Sequence, residues 1–446
     1  MTTILVLGAG FVAGPLVRYF LEIPDISVRI ADVELSKARA LAGSHPRARA
    51  FALDLRSEEA VKREIAGADL VVSLVPYAFH PVVARHCIAA RRNMVTTSYA
   101  SEAMKSLDAD ARRAEITILN EVGLDPGIDH MEAMRIIHRI GDEGGTVLGF
   151  TSWCGGLPAP ESNTNPFGYK FSWSPRGVLL AGTNAALSLR DGREIRIPGP
   201  ELFAHYEMVS IEGLGIFEGY PNRDSLSYAA LYGIPQARTM FRGTLRYPGW
   251  CATMKKIADG GFLGQDERDL RGRTYGSLLR ELAGLPPAAD LKTALPGTLG
   301  LPAGSAVLDR WEWLGLLSEE PISMERGSPL DVLERLMLDK LRYGEGERDM
   351  IILRHEFRYA AADGGERSAV STLIDYGRPG GDSSMARTVG LPAAVAARLV
   401  LDGGISRKGV CLPVHPEIYG PILRELEGRG IVFQERDGPA PERLSP

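Results

Sequence analysis

The first 120 residues alternate between short apolar runs rich in β-branched residues and segments with apolar side chains at helical spacing. Strands that alternate with helices in this way build a parallel sheet with helices on both faces. The pattern therefore predicts a doubly wound α/β domain. Its six predicted strands are Thr3–Leu7, Ile26–Ala31, Ala48–Leu53, Leu70–Val75, Met94–Thr97 and Ile116–Leu119.

A second region begins after Gly144-Gly145. Its apolar positions predict a strand over Thr146–Trp153, which runs into the segment Cys154–Glu161. We interpret that segment as an irregular loop because glycine and proline dominate it. A helix is predicted over Val178–Leu189.

From about Cys251 to Tyr343 the apolar spacing is helical, which predicts a helical insertion. The runs Asp349–Arg358 and Arg367–Asp375 flank an Asp-Gly-Gly turn and predict a hairpin. Helices are predicted at Ser384–Asp402 and Glu417–Arg429.

The first strand ends in a glycine turn, Gly8-Ala9-Gly10, that is followed by Ala13 on the next helix. In a G-x-G-x-x-A turn the first glycine permits the tight bend, the second lets backbone approach a pyrophosphate, and the small third residue lets helix and strand pack closely. The second strand ends at Asp32, 22 residues beyond Gly10, where a ribose-binding carboxylate is expected. The turn is a weak signal alone, and its place between strand and helix supports a dinucleotide site.

Ligands of doubly wound sheets bind beyond the carboxyl ends of the strands. The segments that follow the last three predicted strands are rich in Tyr, His, Asp and Gly. Ordinary turn chemistry also places such residues there, but Tyr99 and the acids Asp125 and Asp129 favour a functional interpretation. For His80 and His130 we favour a loop histidine bonded to backbone.

Composition narrows the class of protein. The 446 residues suggest two or three domains, and the 45% hydrophobic content, 24% charged content and net charge of -5 are those of an ordinary globular protein. No basic run indicates nucleic acid or an anionic membrane, and no apolar run reaches the roughly 18 residues of a membrane span. We therefore predict neither partner.

The four cysteines are far apart in the sequence, without a C-x-x-C pair, and no H-E-x-x-H occurs. This usage fits a reducing compartment and argues against a structural metal. We therefore expect a cytoplasmic protein without a metal site. Cys154, between Trp153 and Gly155, is the thiol nearest to the candidate chemistry, although a buried thiol is usually inert.

Several arginines lie beside glycine, proline and hydroxyl residues, among them Arg223, Arg242 and Arg246. Arginine binds carboxylates through two parallel hydrogen bonds, so this grouping suggests a substrate rich in carboxylates. A surface arginine is the ordinary explanation for any one of them.

Longer motifs resemble the glutamate-forming saccharopine dehydrogenases, also called saccharopine reductases. The resemblance extends from the first strand to about Val410. It is carried by the segments 72–80, 96–99, 120–130, 154–161, 168–180, 220–225 and 242–247.

The resemblance implies a homodimer of three-domain subunits. A Rossmann-type dinucleotide domain would comprise residues 1–125 and be joined by about 384–446. An α/β substrate-binding and dimerisation domain would comprise residues 126–250 and 345–383, and a small helical domain residues 251–344.

The implied activity is the reversible reductive condensation of L-2-aminoadipate 6-semialdehyde with L-glutamate to L-saccharopine in lysine metabolism, with NAD or NADP as cofactor. By resemblance the reacting amine would lie near Tyr99, Asp125 and Cys154. The implied substrate residues are Ser98, Tyr99, Asp125, Arg223, Thr244, Leu245 and Arg246. The implied cofactor residues, with Asp32 added from the reasoning above, are Gly8, Ala9, Gly10, Phe11, Asp54, Leu55, Val75, Thr97, Ser98, Leu124, Asp125, Pro126 and Ser174.

One departure from the family pattern affects the cofactor. Fungal members carry Cys-Arg-Thr after the second strand, where the arginine suits an NADP 2′-phosphate, whereas this chain has Asp32-Val33-Glu34. Two carboxylates would repel that phosphate, so we predict a preference for NAD(H), with Lys37 and Arg39 as the cations that could reverse it.

Two other functions stay open at this point. A related imine-reducing enzyme, such as a carboxynorspermidine dehydrogenase, would need an acid-lined site for its polyamine. A non-catalytic dinucleotide-binding protein would bind the cofactor without turnover.

Overall fold

The structure, a computed structural model, describes residues 1–302 and 304–439. The last seven residues of the predicted C-terminal segment, 440–446, lie outside the described residues. The helices are α1 (Ala13–Glu22), α2 (Leu35–Ala42), α3 (Glu58–Ala66), α4 (His80–Ala90), α5 (Glu102–Lys105), α6 (Asp108–Arg113), α7 (Ile128–Asp142), α8 (Pro175–Ala181), α9 (Ser227–Leu231), α10 (Trp250–Asp259), α11 (Tyr275–Leu282), α12 (Leu291–Leu299), α13 (Ala306–Leu314), α14 (Pro329–Lys340), α15 (Ser384–Leu401) and α16 (Pro416–Gly428).

The strands alternate with these helices in the first third of the chain and form longer ribbons later. They are β1 (Thr2–Leu7), β2 (Ile26–Asp32), β3 (Ala48–Ala52), β4 (Leu70–Ser73), β5 (Asn93–Thr96), β6 (Thr117–Leu119), β7 (Thr146–Pro158), β8 (Ala186–Arg190), β9 (Arg193–Ile197), β10 (Glu207–Ile211), β11 (Gly215–Pro221), β12 (Thr239–Arg246), β13 (Arg268–Asp269), β14 (Arg326–Gly327), β15 (Asp349–Ala360), β16 (Glu366–Tyr376), β17 (Gly409–Cys411) and β18 (Gln434–Pro439).

The predicted doubly wound sheet is confirmed. Its strand order is β17-β6-β5-β4-β1-β2-β3, and every pair is parallel. Residues 4 to 7 of β1 are at most 1% exposed, as expected for a central strand covered by helices on both faces. Strand β17 extends the sheet beside β6 and helix α15 packs on α1, so the C-terminal segment returns to this domain.

The second sheet has nine strands. Its main order is β10-β11-β12-β7-β15-β16-β18, with β8 paired to β12 and β9 paired to β8. The predicted hairpin is confirmed as β15 and β16. Strand β12 lies parallel to β7 and antiparallel to β11, which aligns Thr244 with Cys154.

Two predictions in this region were wrong. The segment after Trp153 is not an irregular loop, because β7 continues to Pro158. Glycine is required at 155, where a Cβ atom would lie 2.9 Å from the Leu245 Cβ atom, so this residue serves close strand packing. The helix predicted over 178–189 ends at Ala181, and β8 occupies Ala186–Arg190. A Cβ atom at Gly182 would lie 2.3 Å from the Phe203 ring.

By contact density the chain divides into two compact units. The first comprises Met1–Thr146, Ala360–Gly365 and Thr372–Glu435, and the second comprises Val147–Tyr359, Glu366–Ser371 and, of the described residues, 436–439. Helices α10 to α14 occupy the segment predicted to be helical and belong to the second unit. The three-domain boundaries stay a prediction.

Helix α15 has the length and mean hydropathy of a membrane span, 18 residues and 1.2. It is 78% buried, and it contains Arg387 and Arg398. The core helix of a globular domain has these same properties, so its hydropathy does not by itself indicate a membrane.

Candidate active site

The glycine turn after β1 has the shape that a dinucleotide requires. Gly8 has φ +100°, and a Cβ atom there would lie 2.9 Å from the carbonyl oxygen of Leu74. A Cβ atom at Gly10 would meet nothing within 4 Å, which leaves room for a pyrophosphate. Among the described residues no side chain caps α1, and its first turn carries no acid. Its N–H groups are therefore available to phosphate oxygens.

Asp32 anchors this turn to the end of β2. Its Oδ2 atom accepts a hydrogen bond from the Ala9 amide at 2.8 Å, and its Oδ1 atom accepts one from the Glu34 amide at 2.9 Å. The Glu34 carboxylate is paired with Lys37 on the first turns of α2. Two carboxylates therefore lie at the end of the strand where a ribose is expected.

Exposed apolar side chains follow the same strand ends. Phe11, Val33 and Tyr77 are 60%, 66% and 73% exposed. Side chains of this kind beside a dinucleotide turn can contact the flat rings of the ligand. Of these three, only Phe11 is in the cofactor set predicted from the sequence. Val33 directly follows β2 and Tyr77 comes four residues after β4, and this position beyond a strand end is the signal that would have found them.

The other predicted cofactor residues of the first unit also follow strand ends. Asp54 receives hydrogen bonds from Arg56 at 3.0 Å to Oδ1 and 2.7 Å to Oδ2, which lower the pKa of this exposed carboxyl to about 2. The remaining members are Leu55, Val75, Thr97, Ser98, Leu124, Asp125 and Pro126.

Tyr99 and Asp125 are joined directly. The Tyr99 hydroxyl donates to Asp125 Oδ1 at 2.9 Å, and both residues are half-buried. Asp125 lies in a tight loop: a Cβ atom at Gly127 would lie 2.1 Å from the Gly123 carbonyl oxygen, so only glycine fits there. The pair combines a hydroxyl donor with a carboxylate that can hold a cationic nitrogen.

The predicted environment of His80 was wrong. It is not bonded to backbone; it is the first residue of α4, 1% exposed, and lies between two hydroxyls. Its Nδ1 atom is 2.9 Å from Ser73 Oγ, and its Nε2 atom is 2.9 Å from Ser98 Oγ. Burial lowers the pKa of His80 to about 4, so the ring is neutral at pH 7. His80 thus holds Ser98, one of the predicted ligand-binding residues.

The prediction for His130 was also wrong. Its Nε2 atom donates to the Glu121 carboxylate at 2.7 Å, and both side chains are at least 95% buried. Asp129, the second acid that drew attention in the sequence, is 1% exposed, and its Oδ1 atom accepts from the Gly127 amide at 2.5 Å. Asp129 therefore stabilises the loop that carries Asp125.

The second unit holds the other predicted residues. Cys154 is 8% exposed and lies on β7 opposite Thr244, which precedes Leu245 and Arg246 on β12. Among the named substrate residues, these three on β12 are therefore close to Cys154. Arg223 is exposed on the segment after β11, with φ +53°.

Arg246 is a buried cation with an unusual environment. It is 4% exposed, and its guanidinium carbon lies 5.0, 5.5 and 5.9 Å from the ring centroids of Tyr169, Trp250 and Tyr220. Its Nη1 atom donates to the Leu245 carbonyl oxygen at 2.8 Å. Across the described part of the chain no carboxylate pairs with it, and its Nε atom has no hydrogen-bond partner.

Ser174 has a structural role in addition to any contact with a ligand. It is the N-cap of α8, and its Oγ atom accepts from the Gly177 amide at 3.2 Å. It belongs to the second unit, unlike the other predicted cofactor residues.

Comparison with known families agrees with this geometry. Residues 4–119 match the family model for the saccharopine dehydrogenase NADP binding domain, and residues 123–431 match that for the saccharopine dehydrogenase C-terminal domain. The chain belongs to the saccharopine dehydrogenase family. The dinucleotide-binding fold predicted from the glycine turn is thereby confirmed.

Relatives of known name cover nearly the whole chain. Saccharopine dehydrogenase [NADP(+), L-glutamate-forming] of Saccharomyces cerevisiae is 40% identical over 97% of this chain and 98% of its own. The mitochondrial alpha-aminoadipic semialdehyde synthase of Bos taurus is 40% identical over 96% of this chain, which spans only 47% of that longer protein.

Solved structures give the same result. Apo saccharopine dehydrogenase (L-Glu forming) from Saccharomyces cerevisiae superimposes with a TM-score of 0.87 at 39% identity, covering 98% of this chain and all of the other. A homospermidine synthase from Legionella pneumophila, solved with NAD, reaches a TM-score of 0.55 at 12% identity over 98% and 91% of the two chains. The second match shows a shared fold alone.

Proposed function

We propose that this protein catalyses the reversible reductive condensation of L-2-aminoadipate 6-semialdehyde with L-glutamate to L-saccharopine, a reaction of lysine metabolism. The observation that carries the proposal is Arg246, a buried guanidinium without a carboxylate partner in the described structure. A buried charge is costly unless something pairs with it. A substrate carboxylate would supply that partner, and saccharopine has three.

The reaction needs one hydride and one proton. The semialdehyde and the glutamate amine would condense to an imine with loss of water. A bound reduced nicotinamide would supply the hydride that adds to the carbon of the N-protonated imine, which gives the secondary amine. Asp125, held by the Tyr99 hydroxyl at 2.9 Å, would keep the nitrogen cationic and in place. Asp125 is a positioner rather than a sole base because its carboxylate already accepts the Tyr99 hydroxyl and holds the nitrogen by charge.

Within the second unit, Cys154, Thr244 and Arg246 would bind a substrate carboxylate, and the exposed Arg223 is a second candidate for this role. An acid-lined polyamine site is disfavoured by the buried cation at Arg246. A non-catalytic protein is disfavoured by the 40% identity to a glutamate-forming saccharopine dehydrogenase over nearly the whole chain.

The oxidative direction tests the function. Saccharopine and NAD⁺ are expected to give NADH, detected at its absorbance maximum, together with glutamate and the semialdehyde by mass. Release of lysine and 2-oxoglutarate instead, from oxidation on the other side of the nitrogen, would contradict the proposal.

We further propose that the coenzyme is preferentially NAD(H). The Saccharomyces cerevisiae relative carries NADP(+) in its name, so this preference would be a difference between this chain and that relative. It is supported by Asp32 and Glu34 at the end of β2 and by the pairing of Lys37 with Glu34. The test is to measure kcat/KM with NADH and with NADPH and to compare the two values. A clearly higher value with NADPH would contradict the proposed preference.

The proposed assembly is a homodimer in the cytoplasm. Strand β10 lies at the edge of the nine-stranded sheet, and Met208 and Ile216, on one face of β10 and β11, are 55% and 57% exposed. An exposed apolar edge of this kind is usually covered by a partner. The four cysteines are all free and buried, which suits a reducing compartment, and fractionation of cells would test the location.

A further inference from the structure

Glu121 occupies a position from which it contacts both neighbours of Tyr99 in the sequence. Its amide donates to the Ser98 carbonyl oxygen at 3.1 Å, and its Oε1 atom accepts from the Ala100 amide at 2.9 Å. The residues before and after Tyr99 are therefore both fixed by Glu121.

The same carboxylate also reaches the segment that follows Asp125. Its Oε2 atom accepts from His130 Nε2 at 2.7 Å, and His130 lies in the first turn of α7, directly after the loop that carries Asp125. The Tyr99 hydroxyl bond to Asp125 Oδ1, at 2.9 Å, completes the connection. The contacts form a closed ring through Tyr99, Asp125, His130 and Glu121.

The backbone at Glu121 is held in a conformation that residues with side chains seldom adopt. Its φ is +59°, in the left-handed region, and its side chain is 95% buried. Strained backbone of this kind persists where surrounding contacts over-determine it, and it is concentrated at functional sites. A carboxylate buried in an apolar domain is also costly unless it is fully bonded.

We propose that Glu121 is a positioning residue for the Tyr99–Asp125 pair, with His130 as its counter-group. In this proposal Glu121 touches neither substrate nor cofactor. The reaction that it supports is the one given under the proposed function, on which this inference rests. A carboxylate with two oxygens is required because one binds the Tyr99 segment and the other binds α7. Aspartate, one methylene shorter, would be unable to keep both contacts.

The first test is Glu121→Gln, with Glu132→Gln as the matched control. Glu132 is also a buried acid of the first unit, paired with Arg135 at 2.9 Å on α7 outside this ring. Glu121→Gln is expected to lower kcat for saccharopine formation about 10- to 100-fold, as expected when reacting groups lose alignment, with NADH affinity unchanged within about twofold. The control, Glu132→Gln, is expected to keep both the wild-type kcat and the wild-type affinity for NADH.

A double-mutant cycle separates positioning from general weakening of the fold. If Glu121 acts through Tyr99, Glu121→Gln should cost much less in kcat in a Tyr99→Phe background than in the wild type. If the fold-losses in kcat of the two single variants multiply in the double variant, the proposal is overturned. A Glu121→Gln variant with wild-type kcat would also overturn it.

Hydrogen exchange supplies a readout that does not depend on which reaction the protein catalyses. In Glu121→Gln the amides of residues 98–101 are expected to exchange faster by tenfold or more, while strand β1 keeps its protection. Loss of protection throughout the first unit would mean a folding defect and would overturn a positioning role. Absence of saccharopine formation by the wild type, with the exchange result as expected, would instead refute the proposed function alone.

Discussion

At the scale of single residues, a substitution of Arg246 distinguishes a role in substrate binding from a role in the stability of the fold. Arg246→Met is expected to raise KM for the carboxylate substrate roughly 10- to 100-fold, the worth of a charge-assisted hydrogen bond. Its free energy of unfolding is expected to stay within about 1 kcal/mol of the wild type or to rise, because an apolar side chain replaces a buried charge without a carboxylate partner.

Steady-state kinetics and urea unfolding measure the two effects of that substitution. Arg196→Met, on the exposed part of β9, is the control and should change neither. A variant that loses stability and activity together would mean that Arg246 serves the fold.

His80 gives the first unit a pH dependence. Its pKa is about 4 in the folded protein and 6.5 in a free side chain, so below pH 6.5 the unfolded chain binds a proton that the folded chain does not. This group should therefore remove about 2 kcal/mol of stability between pH 7.5 and pH 5. Urea unfolding at the two pH values measures the free energy of unfolding that is lost on acidification. This loss should be smaller in His80→Asn than in the wild type, and His86→Asn, in the same helix, should show the wild-type loss.

The sequence identified Tyr99 and Asp125 as candidates because both follow strands of a parallel sheet. It could not reveal the partners of His80, His130 and Arg246, since these contacts depend on how loops and strand ends fold against one another, even where the partner is only seven or nine residues away. Local spacing carries no information about which buried acid a histidine will meet. Glu121 escaped notice for the same reason.

At the scale of elements, the proposed coenzyme preference depends on the turn between β2 and α2. Val33→Arg combined with Glu34→Thr adds a cation and removes a carboxylate while Asp32 keeps its bond to the Ala9 amide. The kcat/KM ratio of NADPH to NADH is expected to rise about tenfold or more. Val33 is 66% exposed, so a longer side chain fits without repacking. An unchanged ratio would show that cations elsewhere, such as Arg39 or Arg56, decide the preference.

Elements with a strong local signal were predictable. Six of the seven strands of the first sheet could be located because each is a short run rich in apolar residues and bounded by turn residues. The strand β8 was mistaken for part of a helix because its apolar positions also fit helical spacing, and the close approach of Phe203 to Gly182 that ends α8 is a tertiary contact. The extension of β7 through two glycines likewise depends on its neighbour β12.

At the scale of the whole molecule, we predict that the exposed face of β10 and β11 forms the interface of the proposed homodimer. The wild type should sediment with twice the subunit mass of 48.4 kDa. Met208→Asp with Ile216→Asp places charges on that face and should give the subunit mass, while Val432→Asp, also at an exposed apolar residue, should leave the dimer intact. A monomeric wild type, or a dimer that survives both charges, would contradict the proposed interface.

The central claim is that this chain joins glutamate to the semialdehyde by reducing the imine between them. Purified protein should be incubated with ¹⁵N-labelled glutamate, L-2-aminoadipate 6-semialdehyde and NADH carrying deuterium at the transferred position, and the products weighed by mass spectrometry. The expected product is saccharopine that contains the ¹⁵N atom and one deuterium, formed only when all three components are present. NADH oxidation without that doubly labelled product, or no product with either NADH or NADPH, would contradict it.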